Sequence, residues 1–416
     1  MGKRKEGYIL ITIFLVAFII RLGYLLFIFG LENVPDADSY QYNEYATNLI
    51  IKNVYVDNNN NYSFRSPGYP FFLAGTYSIF GHSYPVVKII QLILSALTCI
   101  IIYSIAREMC NEKVAMFSGF FSCIYYGLFE MPSHILSETL FTFLLCISIL
   151  FFLKIGKKKN YKIYASVFLA LATLTRPITL IFPFFVFVWL LLKYKLDIAI
   201  KNFITIIFVF GITILPWTIR NYSVHHKFVP VNIQSGFDFW ASNNSESKGQ
   251  WNPSNLNYEK YKNFSEFERD KQYFREGLKF LKSQSPLQNI KLLSLKIGSF
   301  LYPFLPGYDL TYGFILPFWL IGMVLIVKKE NYQYIFLFFV VLLFFIITII
   351  FYGSPRFRSP MSPFVIIFGA VGINYVYQKI KSLMHRILFF SFWLLVNCLI
   401  FRFFEPIRLI LRTIRS

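Results

Sequence analysis

Long apolar runs decide what this chain can fold into. Residues 8 to 30, 84 to 105 and 333 to 352 each carry at most one charge, over lengths that match the roughly 20 residues a helix needs to cross a bilayer. A surface helix of a soluble protein would show polar residues returning every turn, and these runs do not. Eight further apolar runs, 114 to 131, 138 to 153, 161 to 175, 178 to 192, 202 to 219, 311 to 327, 360 to 378 and 387 to 404, bring the expected crossings to about eleven. The predicted fold is an all-α polytopic membrane protein, with additional helices lying at one membrane surface. Lys3, Arg4 and Lys5 precede the first run, which is too long for a signal-peptide core and shows no small-residue cleavage site. It reads as an uncleaved first membrane helix.

Composition agrees. Only 15% of the 416 residues are charged while 56% are hydrophobic, against about 25% charged in soluble domains. The formal charge of +20 does not mark a nucleic-acid partner, because the basic residues sit in short clusters between apolar runs rather than along one face. Positive-inside topology accounts for most of them, and membrane lipid headgroups are natural partners for others. Cys99, Cys110, Cys123, Cys146 and Cys398 show no C-x-x-C pairing and give neither a metal site nor a disulfide framework.

Orientation follows from the turns. With a cytoplasmic N-terminus, Lys154, Lys157, Lys158, Lys159 and Lys162, then Lys193, Lys195 and Lys201, then Lys328 and Lys329, then Lys379, Lys381 and Arg386 all face the cytoplasm. Arg408, Arg412 and Arg415 fall on the other side and break the pattern, unless the tail lies along the membrane. Two long polar connections, 31 to 83 and 221 to 310, are placed outside. The chain thus divides into 1–220, a large outer loop 221–310, and 311–416, in a cytoplasmic membrane with its chemistry on the non-cytoplasmic side.

Acids are scarce, so their positions inform. Asp36 and Asp38 follow the first run. If this stretch is helical, Asp38 and Tyr42 share a face. At a desolvated boundary the Asp38 carboxyl is expected to be raised and to serve as a general base; the alternatives are a solvated acidic loop, or Asp36 capping a helix. Glu138 begins another apolar run, where it either joins the chemistry or complements a helix dipole. His134 reads as a proton shuttle or a structural hydrogen bond. Arg65, Arg176, Arg220, Arg356 and Arg358 lie at predicted outer boundaries. A boundary Arg alone usually snorkels to headgroups, but convergent guanidiniums can hold a lipid phosphate as it leaves. A divalent metal bridging Asp38, Glu138 and phosphate is compatible with the sequence, and no soluble cofactor is required, since P-loop, dinucleotide, zinc-protease and serine-elbow motifs are all missing.

Taken together, Asp38-Tyr42-Ala46 at four-residue steps, Arg65-Ser-Pro-Gly-Tyr69-Pro, Ser137-Glu138-Thr-Leu-Phe, Leu-Thr-Arg176-Pro, Pro-Trp-x-x-Arg220-Asn and Arg356-Phe-Arg358-x-Pro-x-x-Pro resemble the bacterial and archaeal GT-C glycosyltransferases, relatives of protein O-mannosyltransferases and aminoarabinose transferases. The resemblance spans nearly the whole chain, and Gly236 to Asn244 is similar to that family's large outer loop. It implies a GT-C-like bundle and a sugar donor carried on polyprenyl phosphate. It also implies a glycan, lipid or protein acceptor outside the cytoplasm, and inversion at the anomeric carbon. By the same resemblance Asp38 is the base, with Asp36 its alternative, Glu138 a second acid of the site, and Arg65, Arg220, and Arg356 or Arg358 the phosphate ligands; Tyr42, Tyr69, His134 and Arg176 are further candidate substrate-binding residues. The rival class is a lipid or solute transporter, for which Pro183 and Gly211 within apolar runs are the supporting features.

Overall fold

The computed structural model describes residues 3–34, 36–254, 258–304, 307–327 and 332–405. Among these, helix is the only regular secondary structure. In chain order the helices are α1 (Lys3–Tyr24), α2 (Ala37–Lys52), α3 (Gly68–Phe80), α4 (Tyr84–Met109), α5 (Glu112–Ile124), α6 (Tyr126–Phe129), α7 (Glu138–Leu153), α8 (Tyr161–Thr175) and α9 (Phe182–Lys193). There follow α10 (Leu196–His225), α11 (Ser235–Ser242), α12 (Glu266–Ser283), α13 (Pro286–Leu301), α14 (Leu310–Val327), α15 (Tyr332–Ile350), α16 (Pro355–Arg358), α17 (Ser362–Lys379) and α18 (Leu383–Arg402).

Six of the helical segments are long and apolar enough to cross a membrane, one bent pair passes jointly, and four shorter helices are largely apolar. Each of the eleven expected runs falls on one of these. The chain is a multi-pass membrane protein. Boundaries differ where local chemistry differs: α10 extends through Pro216 from Leu196 to His225, and the expected 114 to 131 crossing bends by 64° between Ile124 and Tyr126.

That bend has a partner on α1. Arg21 is wholly buried, and its guanidinium donates to the Cys123 carbonyl at 3.2 Å and the Ser122 carbonyl at 3.4 Å, the last carbonyls of α5. It also donates to Ser95 Oγ of α4 at 2.8 Å and to the Ala17 carbonyl at 3.0 Å. A helix that stops inside a membrane leaves acceptors that water cannot reach, and a buried cation with several donors satisfies them. Arg21 therefore joins α1, α4 and the break after α5, while α7 packs between α4 and α8, and α14 lies along α17.

The basic turns lie together at one end. Lys193 donates to the Ile155 carbonyl at 3.0 Å, Lys162 to Asn202 Oδ1 at 3.1 Å, and Lys157 pairs with Glu108 at the end of α4. Since α7 runs from Glu138 towards Lys154, Glu138 sits at the opposite end of the bundle. Lys328, Lys329, Arg408, Arg412 and Arg415 lie outside the described residues.

At that opposite end, the first connection forms α2 and α3, and the second forms α11, α12 and α13. The two connections are joined by Glu266, whose Oε2 accepts from Tyr62 N at 2.8 Å and whose Oε1 accepts from Ser63 N at 3.1 Å. α12 begins at Glu266 behind a Ser265 cap, whose side chain accepts from Glu268 N. The apolar run from Leu292 belongs to a helix that starts six residues earlier, because Ser285 and Gln288 form a capping box before it.

Replacing Arg21 by Ala removes donors from buried carbonyls and should cost on the order of 2 kcal/mol or more. The thermal unfolding midpoint in detergent should fall, with partial recovery in Arg21→Lys; an unchanged midpoint in Arg21→Ala would contradict this role.

Candidate functional site

Five charged side chains from five separate segments meet at the end of the bundle away from the basic turns. Asp38 stands in the first turn of α2. Its Oδ1 accepts from Arg65 Nη2 at 2.5 Å, and its Oδ2 accepts from Arg356 Nη1 at 2.7 Å. The same Arg356 donates through Nε to Glu138 Oε1 at 2.5 Å, and Arg176 Nη1 reaches that oxygen at 2.8 Å. Arg356 thus bridges the two carboxylates, flanked by Arg65 on one and Arg176 on the other: three guanidiniums to two carboxylates.

Local sequence explains the convergence. The Arg65 loop reaches the end of α8 because Gly68 packs directly on Thr175. A Cβ at position 68 would lie 2.8 Å from the Thr175 backbone nitrogen. Any side chain there would push apart the loops that carry Arg65 and Arg176. The Arg65 carbonyl accepts from Tyr55 OH at 2.9 Å, its Nε donates to Gln41 Oε1 at 2.6 Å, and its guanidinium lies over the Tyr42 ring. Arg356 is oriented by a short helix whose Ser354 cap accepts from its backbone nitrogen. Glu138 opens α7 and is 1% exposed. It therefore both starts a helix and contributes to the charge cluster, and the two readings of its position do not exclude each other.

The remaining candidates separate. Tyr42 OH meets Ser137 Oγ at 3.2 Å, beside the cluster. Tyr69 packs edge-on against Tyr42 and is fully buried with its hydroxyl on Gln91, beneath the site rather than lining it. Asp36 occupies the N-cap position of α2 without capping it. Two residues apart at a helix start, Asp36 and Asp38 point to different sides, and Asp36 takes His134 Nδ1 at 2.6 Å. Arg220 is not brought to Asp38. It donates to the Tyr62 and Tyr55 carbonyls at 2.7 and 2.8 Å and stacks on Trp217, tying the first outer connection to α10. Nor is Arg358, which is buried over the Tyr312 ring and donates to the Phe300 carbonyl at 2.8 Å, closing the end of α13.

Electrostatics correct one expectation. Burial would push the Asp38 carboxyl up, but the Arg65 and Arg356 guanidiniums outweigh it and hold the group well below the usual carboxylate range. The isolated site therefore holds Asp38 as a fixed charge, where desolvation alone predicts a raised one. His134 moves the other way: burial would lower it, yet hydrogen bonds to Asp36 and Glu130 push it up to about 9.

Two residues near the cluster are not singled out by the sequence, although one of them falls in the outer-loop stretch Gly236 to Asn244. Asp238, on α11, lies within electrostatic reach of Arg65 and Asp38, and burial pushes its carboxyl up to about 6. Tyr352 lies within electrostatic reach of Asp238, Arg356, Arg176 and Asp38. The signal for Asp238 was present but weak: a rare acid inside an aromatic stretch of the outer loop. Among the described residues no three His, Cys, Asp or Glu side chains converge as a metal set, and the space between Asp38 and Glu138 that a bridging cation would take is filled by the Arg356 guanidinium.

The profile of the family described as dolichyl-phosphate-mannose-protein mannosyltransferase matches residues 65–219. Solved structures of the oligosaccharyltransferase AglB from Archaeoglobus fulgidus share the fold. One, in complex with an inhibitory peptide and a dolichol-phosphate, superposes with a TM-score of 0.57 and 13% identity over 94% of this chain and 54% of that one. Another, with zinc and sulfate, gives 0.59 and 14% over 92% and 51%. This chain thus spans about half the length of the archaeal enzyme. ArnT from Cupriavidus metallidurans, bound to undecaprenyl phosphate, gives 0.43 and 11% over 91% and 82%. No curated protein matches by sequence. The chain shares its fold with these archaeal oligosaccharyltransferase structures.

Because the folded His134 lies above its ordinary 6.5, its pairing with Asp36 stabilises the protein fully below that value, and the contribution is lost as pH rises through about 9. Unfolding midpoints followed from pH 7 to 10 should fall in the wild type and fall less in His134→Gln; parallel profiles would contradict the pairing.

Proposed function

We propose that this multi-pass membrane protein with the GT-C fold transfers a sugar from a polyprenyl-phosphate carrier to an acceptor on the non-cytoplasmic side. The observation that carries this reading is the bridged cluster, in which three guanidiniums face two carboxylates and leave one positive charge for an incoming anion. A phosphodiester donor supplies one negative charge before transfer and gains a second as the carrier leaves. Guanidiniums at that position stabilise the departing phosphate more than the bound donor, which is the requirement for rate acceleration. The dolichol-phosphate seen with the archaeal oligosaccharyltransferase is a ligand of this kind on a similar fold. The side of the membrane rests on the positive-inside rule, because the basic turns occupy the other end of the bundle.

In the proposed mechanism the acceptor oxygen attacks the anomeric carbon from the face opposite the phosphate. Its proton passes to Asp38 as the new C–O bond forms. The bond from C1 to the phosphate oxygen breaks with its electron pair, and the configuration inverts. Asp38 is a weak base while Arg65 and Arg356 are committed to it. A donor phosphate that shares those guanidiniums withdraws part of their field from the carboxylate and restores its basicity, so the base is strongest once the donor is seated. Glu138 keeps Arg356 and Arg176 oriented from beneath. The guanidiniums provide the charge neutralisation, so no divalent metal is required for this route.

Purified protein incubated with a panel of polyprenyl-phosphate sugars together with a panel of glycan, lipid and peptide acceptors should release free polyprenyl phosphate as the acceptor is glycosylated, and should do so in the presence of a chelator. Arg356→Gln should slow release about 10²- to 10³-fold per mole of folded protein; full activity in that variant would overturn the assignment.

A further inference from the structure

The outer loop presents an aromatic and acidic surface next to the charge cluster that the transfer chemistry above does not use. Trp251 is 42% exposed, and its indole Nε1 donates to Asp238 Oδ1 at 3.2 Å. Gln234 Nε2 reaches the same oxygen at 3.4 Å. Unlike Asp38 and Glu138, which are held by guanidiniums, Asp238 is met by these two neutral donors through Oδ1. The second carboxylate oxygen adds acceptor capacity.

The surface is built rather than incidental. Asp270 of α12 accepts from the backbone nitrogens of Gly236 and Phe237, both at 2.9 Å, and so fixes the start of α11. Gly236 lies so close to α12 that a Cβ would stand 2.0 Å from the Asp270 carbonyl oxygen. The loop bearing Trp251 is pinned by Asn252 N on the Ala241 carbonyl and by Asn244 Nδ2 on the Asn252 carbonyl, both at 2.8 Å. Phe237 packs edge-on against Trp251 at 6.0 Å, and on its other side meets Phe64 at 6.0 Å. Arg65 lies over Phe64. A continuous path of contacts therefore runs from the phosphate-facing guanidinium to the exposed indole.

We propose that Trp251 and Asp238 form a saccharide subsite and that the acceptor is a glycan. This rests on the transferase reading above. A sugar ring has an apolar C–H face and a rim of hydroxyl donors. A half-exposed indole offers the matching flat face, and a carboxylate beside it accepts from adjacent hydroxyls, a stronger bond than two neutral groups make. A free lipid or an extended peptide has no comparable need for a ring-sized aromatic plate edged by a carboxylate. Occupancy here holds the acceptor on the Asp238 side of the cluster, within electrostatic reach of Arg65 and Asp38.

The test titrates the full-length protein in detergent with methyl glycosides of glucose, galactose, mannose and N-acetylglucosamine while following tryptophan emission. Undecaprenyl phosphate binding is measured in parallel. At least one glycoside should change the emission saturably, the change should vanish in Trp251→Phe, and Asp238→Asn should weaken binding about tenfold or more, with undecaprenyl phosphate affinity retained in both variants. No response to any glycoside, or an equal response in Trp251→Phe, would overturn the subsite. Loss of undecaprenyl phosphate binding by the wild type would instead count against the transferase reading itself.

Discussion

One guanidinium shared between two carboxylates organises this end of the molecule. Arg356 reaches Asp38 from α2 and Glu138 from α7 at 2.7 and 2.5 Å, alongside the Tyr42 hydroxyl of α2 on Ser137 Oγ at the start of α7. Glu138 is nearly inaccessible to water, where an unpaired charge would cost several kcal/mol. Its pairing with Arg356 and Arg176 is therefore a condition for α7 to begin where it does. Asp38 in turn aligns α2 against the Arg65 loop. The membrane bundle supplies the rigid ends of α7 and α8, and the outer connections close over them.

Much of this was legible in the sequence. The apolar runs correspond to helices, or for 114 to 131 to a bent pair, because a bilayer tolerates little else, and the Lys-rich turns around 154–162 and 193–201 are found together at one end. What periodicity does not report is where a crossing breaks. The bend after Ile124 is stabilised by Arg21, a residue from another helix, and nothing local to 112–133 announces it. Arg65, Arg176 and Arg356 converge on acids, while Arg220 and Arg358, equally placed at boundaries, spend their donors on backbone carbonyls. Spacing along the chain cannot separate these two fates, because each depends on which loop end lies opposite. Gly68, which the Arg65 motif contains, shows its reason only in the fold, where it packs on Thr175.

The basicity of Asp38 was misjudged for a related reason. Desolvation is readable from an apolar context, but its opponents here come from positions 65 and 356, and their fields outweigh burial. Asp238 lies inside the Gly236 to Asn244 stretch that resembles an outer loop, but nothing in that stretch singles out the acid. It becomes visible only when α11, fixed by Asp270, folds back beside the first outer connection.

The shared cation can be tested without knowing any substrate, by a double-mutant cycle on unfolding free energy with Arg356→Gln, Glu138→Gln and the pair. If Arg356 compensates the buried Glu138 carboxylate, Arg356→Gln alone strands that charge, and adding Glu138→Gln should recover part of the loss, with a coupling of about 1–3 kcal/mol. Losses that simply add, to within about 0.5 kcal/mol, would show that the two side chains do not depend on each other and would contradict the account.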